Sequence, residues 1–492
     1  MDYAAAVAHL YALGQELAPP TDPSAPRRKF DLATMRVLMR ALGDPQNLVP
    51  SVLIAGTNGK GSTASTLASI LTAAGYRTGL YTSPHLIRVN ERIQLAQPTL
   101  PGEYGSASAV GSEGELKLHP IPDDDFGRIY SRVWSTAETL VRDGQLPHTP
   151  SFFEVVTALA YTWFADRQAD IMVLEVGLGG RLDATNIVEP LLSIITDIAL
   201  DHQDYLGDTI ALITAEKCGI LRQNGTLITL PQHPEANQAI GEAAMALNVH
   251  GVSAAAYIPP PSRDGSLPET TDLLPRNLYT LRLEDGSGTI LVDSPLAGQH
   301  QQRNIALALS AALELRNKNS YKITNTALEQ GIHNTSWPGR LERIGENLLL
   351  DVAHNPAGAW TLRAAIAALP EDRPRTLLFS CLKDKNLKEI SRILFPLFDS
   401  SPDGDPLRRH DHIVLAPVPS PRAASVDDLL GAAHALGIPA HAAPHPEAAL
   451  AQARQITPEG GLIIATGSIF LVGELRGLLL HPHTEPVEVA AE

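Results

Sequence analysis

The sequence predicts an α/β protein: a mostly parallel sheet with a phosphate loop and a small hairpin region, followed by a smaller, independent α/β domain. Three observations lead there. Short apolar runs of strand length alternate with helical patterns from about residue 50 onward, the rhythm of a parallel sheet covered by helices on both faces. A glycine-rich segment, Ala55-Gly56-Thr57-Asn58-Gly59-Lys60-Gly61-Ser62, joins the first such run to the first helix of that alternation. A second strand and helix cycle begins near Gly339.

Element by element, the N-terminus reads as an amphipathic helix with Val7, Leu10 and Leu13 on one side. Ser51 to Ala55 is a strand, Ser62 to Ala74 a helix and Tyr76 to Tyr81 the returning strand. Helices are expected over Phe126 to Asp143 and Phe152 to Asp166, and buried strands over Ile171 to Val176 and Leu191 to Thr196. Two stretches rich in Gly, Ser and Pro break the rhythm, Gln97 to Pro120 and Ser253 to Asn277, and read as inserted mobile loops. Tyr279 to Leu283 and Thr289 to Val292 flank a glycine-containing turn and read as a hairpin. After Gly339 come strands at Asn347 to Asp351, Arg375 to Ser380, Asp411 to Ala416 and Gly461 to Ala465. Helical patterns at Ala357 to Leu369, Asn386 to Phe395, Ser425 to Leu436 and Glu447 to Gln455 fall between them. Pro338 and Gly339 form the expected hinge, dividing the chain into 1–338 and 339–492.

Composition narrows the class. With 44% hydrophobic and 19% charged residues, the 492-residue chain can bury large cores. A net charge of −16 argues against a general nucleic-acid or membrane-surface binder. Two cysteines, Cys218 and Cys381, cannot make a disulfide framework, which suits a reducing compartment. No targeting leader or membrane-spanning run is seen, so a cytoplasmic location is expected. The segment His481 to Glu492 reads as a mobile end.

The chemistry should gather at strand ends. In the glycine-rich segment, backbone N–H groups curl around an anion and the helix N-terminus adds partial positive charge. Lys60 can reach the β- and γ-phosphates and Ser62 can face Mg²⁺, although Gly61 separates the two. Ser83, in Tyr81-Thr82-Ser83-Pro84-His85, ends the next strand and can complete a metal shell, or can simply make a Ser-Pro turn. Two acids compete for Mg²⁺. Glu175 ends an apolar strand, whereas Glu154 stands at a helix start and can merely stabilise that N-terminus. The turn Gly177 to Asn186 is dense in Gly and polar groups and reads as a ligand loop, with Arg181, Asp183, Thr185 and Asn186 as candidates. His202, among Asp197, Asp201 and Asp204, suits a metal ligand with an orienting shell. Lys217 alone would be read as a solvated lysine. In the second domain, Asp351-Val352-Ala353-His354-Asn355-Pro356 either faces the domain cleft or caps a helix, and Ala465 to Ser468 can line the same cleft.

Taken in order, GTNGKGS, YTSPHLIRVNERI, LEVGLGGRLDATN, ALDHQDYLG, EKCGI, GRLE, DVAHNP and TGSIFLVGE resemble folylpolyglutamate synthase, often bifunctional with dihydrofolate synthase, within the Mur ligase superfamily. The resemblance spans about Tyr3 to Leu478. It implies an ATP-grasping N-terminal domain, a Rossmann-like C-terminal domain and an active site between them. ATP contacts then fall on Gly56, Thr57, Asn58, Gly59, Lys60, Gly61 and Ser62, and on Asn304, Arg340, Asp351 and His354. Mg²⁺ ligands fall on Ser83, Glu154 and His202, and a carbamylated lysine on Lys217. Substrate contacts fall on Arg181, Asp183, Thr185, Asn186 and Asp201. Lys60, Lys217 and His202 are the expected catalytic residues. The implied reaction joins L-glutamate to a folate or to dihydropteroate at the expense of ATP, by a monomer that engages neither nucleic acid nor membrane. The sequence departs from the family pattern in Cys218 for a usual Ala, DVAHN for DGAHN, Asp384-Lys385-Asn386 for Asp-Lys-Asp, and the Gln97 to Pro120 insertion. Two other readings are a cell-wall Mur ligase, for which the roughly 50 residues ahead of the loop are too few to form a UDP-binding domain, and a non-catalytic nucleotide switch.

Overall fold

The computed structural model describes residues 1–14, 31–98, 116–260 and 274–480. The tail 481–492 and the middle parts of the two Gly/Ser/Pro-rich stretches lie outside the described residues. The first sheet is built from β1 (Ser51–Ala55), β2 (Thr78–Tyr81), β3 (Ile93–Pro98), β4 (Leu116–Pro120), β5 (Ile171–Glu175), β6 (Leu192–Ile195), β7 (Thr226–Thr229) and β8 (His250–Ser253). Its order is β4-β3-β2-β5-β1-β6-β7-β8. All neighbours are parallel except β2/β3 and β3/β4. β9 (Asn277–Arg282) and β10 (Thr289–Ser294) form the expected hairpin.

Burial explains why β1 and β5 are central. In a strand, successive side chains point to opposite faces. Leu53, Ala55, Met172 and Leu174 enter one core with the helices Asp123–Arg142 and Phe152–Asp166. Val52, Ile54, Ile171 and Val173 enter another with Lys60–Ala73 and His300–Lys318. Both faces are covered, so every position of these strands is apolar or capped.

Two sequence expectations need revision. The ends of Gln97 to Pro120 are not loop, because β3 and β4 pair antiparallel from Gln94↔Pro120 to Pro98↔Leu116; residues 99–115 lie outside the described residues. The helix Leu32–Ala41 went unread, although Met35, Leu38 and Met39 are buried at helical spacing behind an Asp31 cap. The N-terminal helix runs Tyr3–Ala12 and buries Ala6 and Leu10, with Val7 and Leu13 partly covered.

The second sheet comprises β11 (Glu342–Ile344), β12 (Leu348–Leu350), β13 (Arg375–Phe379), β14 (His412–Leu415), β15 (His441–Ala442) and β16 (Leu462–Thr466), in the order β11-β12-β16-β13-β14-β15. Only β11/β12 is antiparallel. The two domains meet closely. A Cβ on Gly473 would stand 2.0 Å from the Leu86 carbonyl oxygen, and, within the first domain just ahead of the hinge, one on Gly61 would stand 2.4 Å from the Trp337 ring. Among the described residues no helix is long and apolar enough to cross a membrane.

The helix carrying Lys60 is pinned from behind by Asn325–His333. Ser69 Oγ donates to the Gly331 carbonyl at 2.7 Å, and a Cβ on Gly331 would lie 2.3 Å from Ile70 Cα. Because the obstacle is backbone, it cannot rotate away. Gly331→Ala should therefore destabilise the protein by about 1–3 kcal/mol, read as a lower urea midpoint at unchanged m; an unaltered midpoint would show that the helices can separate.

Candidate active site

The glycine-rich loop leaves β1 in the middle of the sheet, where strand order offers a crevice at the carboxyl ends. Its glycines are dictated by crowding. A Cβ on Gly56 would fall 1.8 Å from Thr196 Oγ1, and one on Gly59 would fall 2.2 Å from Asn304 Oδ1. Gly59 also has φ +88°, a left-handed conformation that favours glycine. The loop is tied to the end of β6: Thr57 N and Asn58 N both donate to the Asp197 carbonyl, at 2.9 and 3.0 Å. Asp197 is itself gripped by Arg303, whose Nε donates to Oδ2 at 2.8 Å. Lys60 Nζ folds back onto the Thr57 carbonyl at 3.2 Å. The N-terminus of Lys60–Ala73 thus opens onto a cradle with a cation beside it.

The structure separates the two rival acids. Glu154 Oε2 accepts the Ser151 N–H and hydroxyl, each at 2.7 Å, in a reciprocal capping box at the start of Phe152–Asp166. Its carboxylate is engaged at its own helix end. Glu175, ending β5 beside β2, accepts the Ser83 N–H at 3.1 Å. Burial raises the Glu175 carboxyl above its ordinary range, and the charges of Lys60, Arg340 and Arg92 pull against that rise. Among the described residues no group of three or more His, Cys, Asp or Glu is spaced to hold a metal by itself. Ser83 and Glu175 lie at neighbouring strand ends, and so small a set of oxygen-bearing residues suits Mg²⁺, which is commonly held by one or two carboxylates with phosphate oxygens and water in the remaining positions.

The turn after β5 is held by its own side chains. Asp183 accepts from Leu178 N, Thr185 N and Thr185 Oγ1 at 2.9, 2.9 and 2.5 Å. Asn186 donates to the Arg181 and Gly219 carbonyls and accepts from Arg222. These three polar residues are buried and shape the loop, whereas Arg181 is exposed and pairs with Glu216 at 2.9 Å. Against this loop lies Lys217, buried, its Nζ donating to the Gly56 carbonyl at 2.7 Å. Burial, with Lys60 nearby, brings its pKa down to about 7. This is no solvated lysine but a partly neutral amine beneath the phosphate loop.

Asp201 is where the domains meet. Oδ1 accepts Lys385 Nζ at 2.8 Å and the His202 N–H at 2.9 Å, and Oδ2 accepts Asn355 Nδ2 at 3.1 Å. Burial alone would raise this carboxyl, but the Lys385 ammonium beside it drives it well below the usual carboxylate range. His202 Nε2 lies 3.5 Å from Lys385 Nζ; burial and that cation keep the ring neutral, with a pKa near 3. His202 therefore belongs to the Asp201 cluster. His354 is held neutral for the same two reasons, with a pKa of about 4. Its Nδ1 bonds the Val352 carbonyl at 2.8 Å; a carbonyl only accepts, so that nitrogen carries the proton and Nε2 the lone pair. Asn355 fills both roles considered for it: Oδ1 caps Pro356–Ala367 and Nδ2 reaches Asn58 Oδ1 at 3.1 Å.

Asp351 accepts Leu341 N and Ala353 N, both at 2.9 Å, and faces the half-buried Arg340. Burial raises the Asp351 carboxyl and lowers the Arg340 guanidinium while each charge favours the other. Thr466 and Gly467 both donate to the Ala353 carbonyl, so the late strand end lines the same cleft. Sequence reasoning missed Lys385, Arg303 and His300. Lys385 was noted only as a departure in Asp384-Lys385-Asn386; a lone lysine carries no signal until an acid from the other domain is found beside it.

Residues 132–312 match the family described as Mur ligase middle domain, and residues 339–469 match Mur ligase, glutamate ligase domain. A folylpolyglutamate synthase of Lacticaseibacillus casei is 31% identical over 90% of this chain and 93% of its own length. A dihydrofolate synthase/folylpolyglutamate synthase of Bacillus subtilis is 34% identical over 74% and 79%. Among solved structures, Mycobacterium tuberculosis folylpolyglutamate synthase complexed with ADP and AMPPCP superimposes with a TM-score of 0.76 at 28% identity, covering 99% and 100% of the two chains. Escherichia coli FolC in complex with DHPP and ADP does so with 0.74 at 26% identity, covering 98% and 99%.

One consequence of the electrostatics can be measured directly. Burial, helped by Arg340, holds His300 neutral with a pKa of about 4, while an unfolded histidine titrates near ~6.5. Between those values only the unfolded chain takes up the proton, so this stability is complete above the unfolded pKa and is lost as pH falls toward the folded one. His300→Gln should flatten the decline in urea stability between pH 7 and 5 by on the order of 1 kcal/mol, after discounting for partial hydration. An identical decline in the variant would remove His300 as its source.

Proposed function

Since this chain belongs to the folylpolyglutamate synthase/dihydrofolate synthase family of Mur ligases, we propose that it is an ATP-dependent ligase joining L-glutamate to the side-chain carboxylate of a folate. The same site would accept the carboxylate of dihydropteroate. The observation that carries this reading is the bridge over the phosphate loop: Asn355 and Lys385 of the second domain reach Asn58 and Asp201 of the first. A nucleotide switch needs no such second domain, and the relatives' names favour the folate branch over a cell-wall ligase. We place the domain boundary at Pro338–Gly339, ahead of β11.

In the proposed reaction a carboxylate oxygen attacks the γ-phosphorus of ATP and ADP leaves. The glutamate amine then attacks the acyl carbon of the resulting acyl phosphate, and phosphate departs as the amide forms. The loop Gly56 to Ser62 supplies N–H donors for the phosphates, and Lys60 supplies charge where the nucleophile is otherwise repelled. Ser83 and Glu175 are the residues that would hold Mg²⁺, which when bound offsets the negative charge of the phosphate oxygens. Arg340, Asp351, Asn304 and His354 line the nucleotide's side of the cleft in this reading. Lys217, partly neutral at physiological pH, has the nucleophilic amine that carbamate formation with CO₂ requires. Closing the domains over Asp201 keeps water from hydrolysing the acyl phosphate.

The test is ligation itself. Purified protein given ATP, Mg²⁺, L-glutamate and either a monoglutamyl folate or dihydropteroate should release ADP and a product heavier by one glutamyl residue, detected by mass spectrometry. Lys60→Ala should lower turnover by about 10²–10³-fold or more while the protein stays folded. Glu175→Gln should shift the Mg²⁺ titration to higher concentration. Glu154→Gln should titrate like the unaltered protein and only lose stability, by about 1 kcal/mol. A Mg²⁺ shift in the Glu154 variant alone would return the metal to that residue.

A further inference from the structure

Beside the cleft, the second domain carries a groove that the ligation chemistry above does not use. It lies between the helices Leu387–Leu394 and Val426–His434 and encloses about 430 Å³. Lys383, Lys388 and Arg392 line it. They are exposed, and among the described residues none of the three forms an ion pair. The acid facing them, Asp428, is engaged in capping its own helix through Ser425 N and Oγ, at 3.1 and 2.6 Å. In a chain of net charge −16, three cations gathered in one groove are unexpected, and of them only Lys383 is among the charges acting on Asp428. Its floor is apolar, with Leu387 and Leu436 among the lining side chains. The groove also adjoins the active site along the chain: Lys383 stands two residues before Lys385, whose Nζ holds Asp201.

We propose that this groove binds the γ-linked oligoglutamyl tail of a folate that has already been lengthened. The inference rests on the ligase reading and extends it to the form of substrate preferred. Each internal γ-glutamyl unit carries one free α-carboxylate and two methylenes, which match a row of cations above an apolar floor. The spacing agrees as well. Lys388 and Arg392 are four residues apart on one helix, about 6 Å of rise. A γ-glutamyl repeat spans five bonds, roughly 6 Å when extended. The terminal γ-carboxyl can then return to the phosphate loop while the carboxylates behind it are held aside.

The probe is γ-linked L-tetraglutamate, titrated calorimetrically into the full-length protein, with α-linked tetraglutamate as the control of equal charge. The γ-linked peptide should bind more tightly and should weaken as salt is raised. K388E/R392E should weaken it about tenfold or more, and Ala432→Trp, which fills the groove without changing charge, should weaken it as well. In turnover, the ratio of kcat/KM for a tetraglutamyl over a monoglutamyl folate should fall in both variants. Equal binding of the two peptides, or binding and ratios indifferent to both variants, would overturn the groove assignment. Absence of any ADP release with a monoglutamyl folate would instead overturn the ligase reading, and the peptide titration is independent of that outcome.

Discussion

Asp201 is the constraint around which the cleft is organised. A single carboxylate receives an ammonium and an amide from one domain and a backbone N–H from the other. Removing water from a charge is costly unless hydrogen bonds replace that water. Here Lys385 and Asn355 replace it, and the arrangement is satisfied only while the two domains face each other at this spacing. The neutral state of His202 and His354 follows from the same cation and the same burial. The second domain therefore completes the first domain's polar loop as well as covering it.

The phosphate side of the site is governed by backbone proximity. Thr196, Asn304 and Trp337 each approach a loop glycine closer than any side chain would permit, and Asp197 takes two loop N–H groups on its carbonyl. Lys60, Glu175, Arg340 and Asp351 then form a chain of alternating charges, in which burial and attraction oppose each other at Glu175, Arg340 and Asp351. Such a chain resists neutralisation of any one group, since its neighbours would be left unpaired.

Much of this was legible in the sequence, for physical reasons. A glycine-rich turn between an apolar strand and a helix has few structural explanations, and the strand ends at Ser83, Asp201 and Asp351 were found because parallel sheets gather polar residues there. What was not legible depended on pairing across distance. Glu154 and Glu175 look alike in one dimension. Only the capping box at Ser151 and the adjacency of β2 and β5 tell their surroundings apart. The internal hydrogen bonds of Asp183, Thr185 and Asn186 were hidden too, because polar density in a turn looks the same whether it faces outward or satisfies itself. Lys385 was invisible until its acid was located, and the helix Leu32–Ala41 was missed although its apolar spacing was present.

The packing of Trp337 against Gly61 joins the nucleotide loop to the segment where the chain passes between its two halves. Pro338 and Gly339 follow immediately, and a Cβ on Gly339 would press on Val352 and Val472 beyond them. A side chain introduced at position 61 must push that indole outward, against the start of the second sheet's unit. A larger residue there is therefore felt well away from the atoms that grip phosphate.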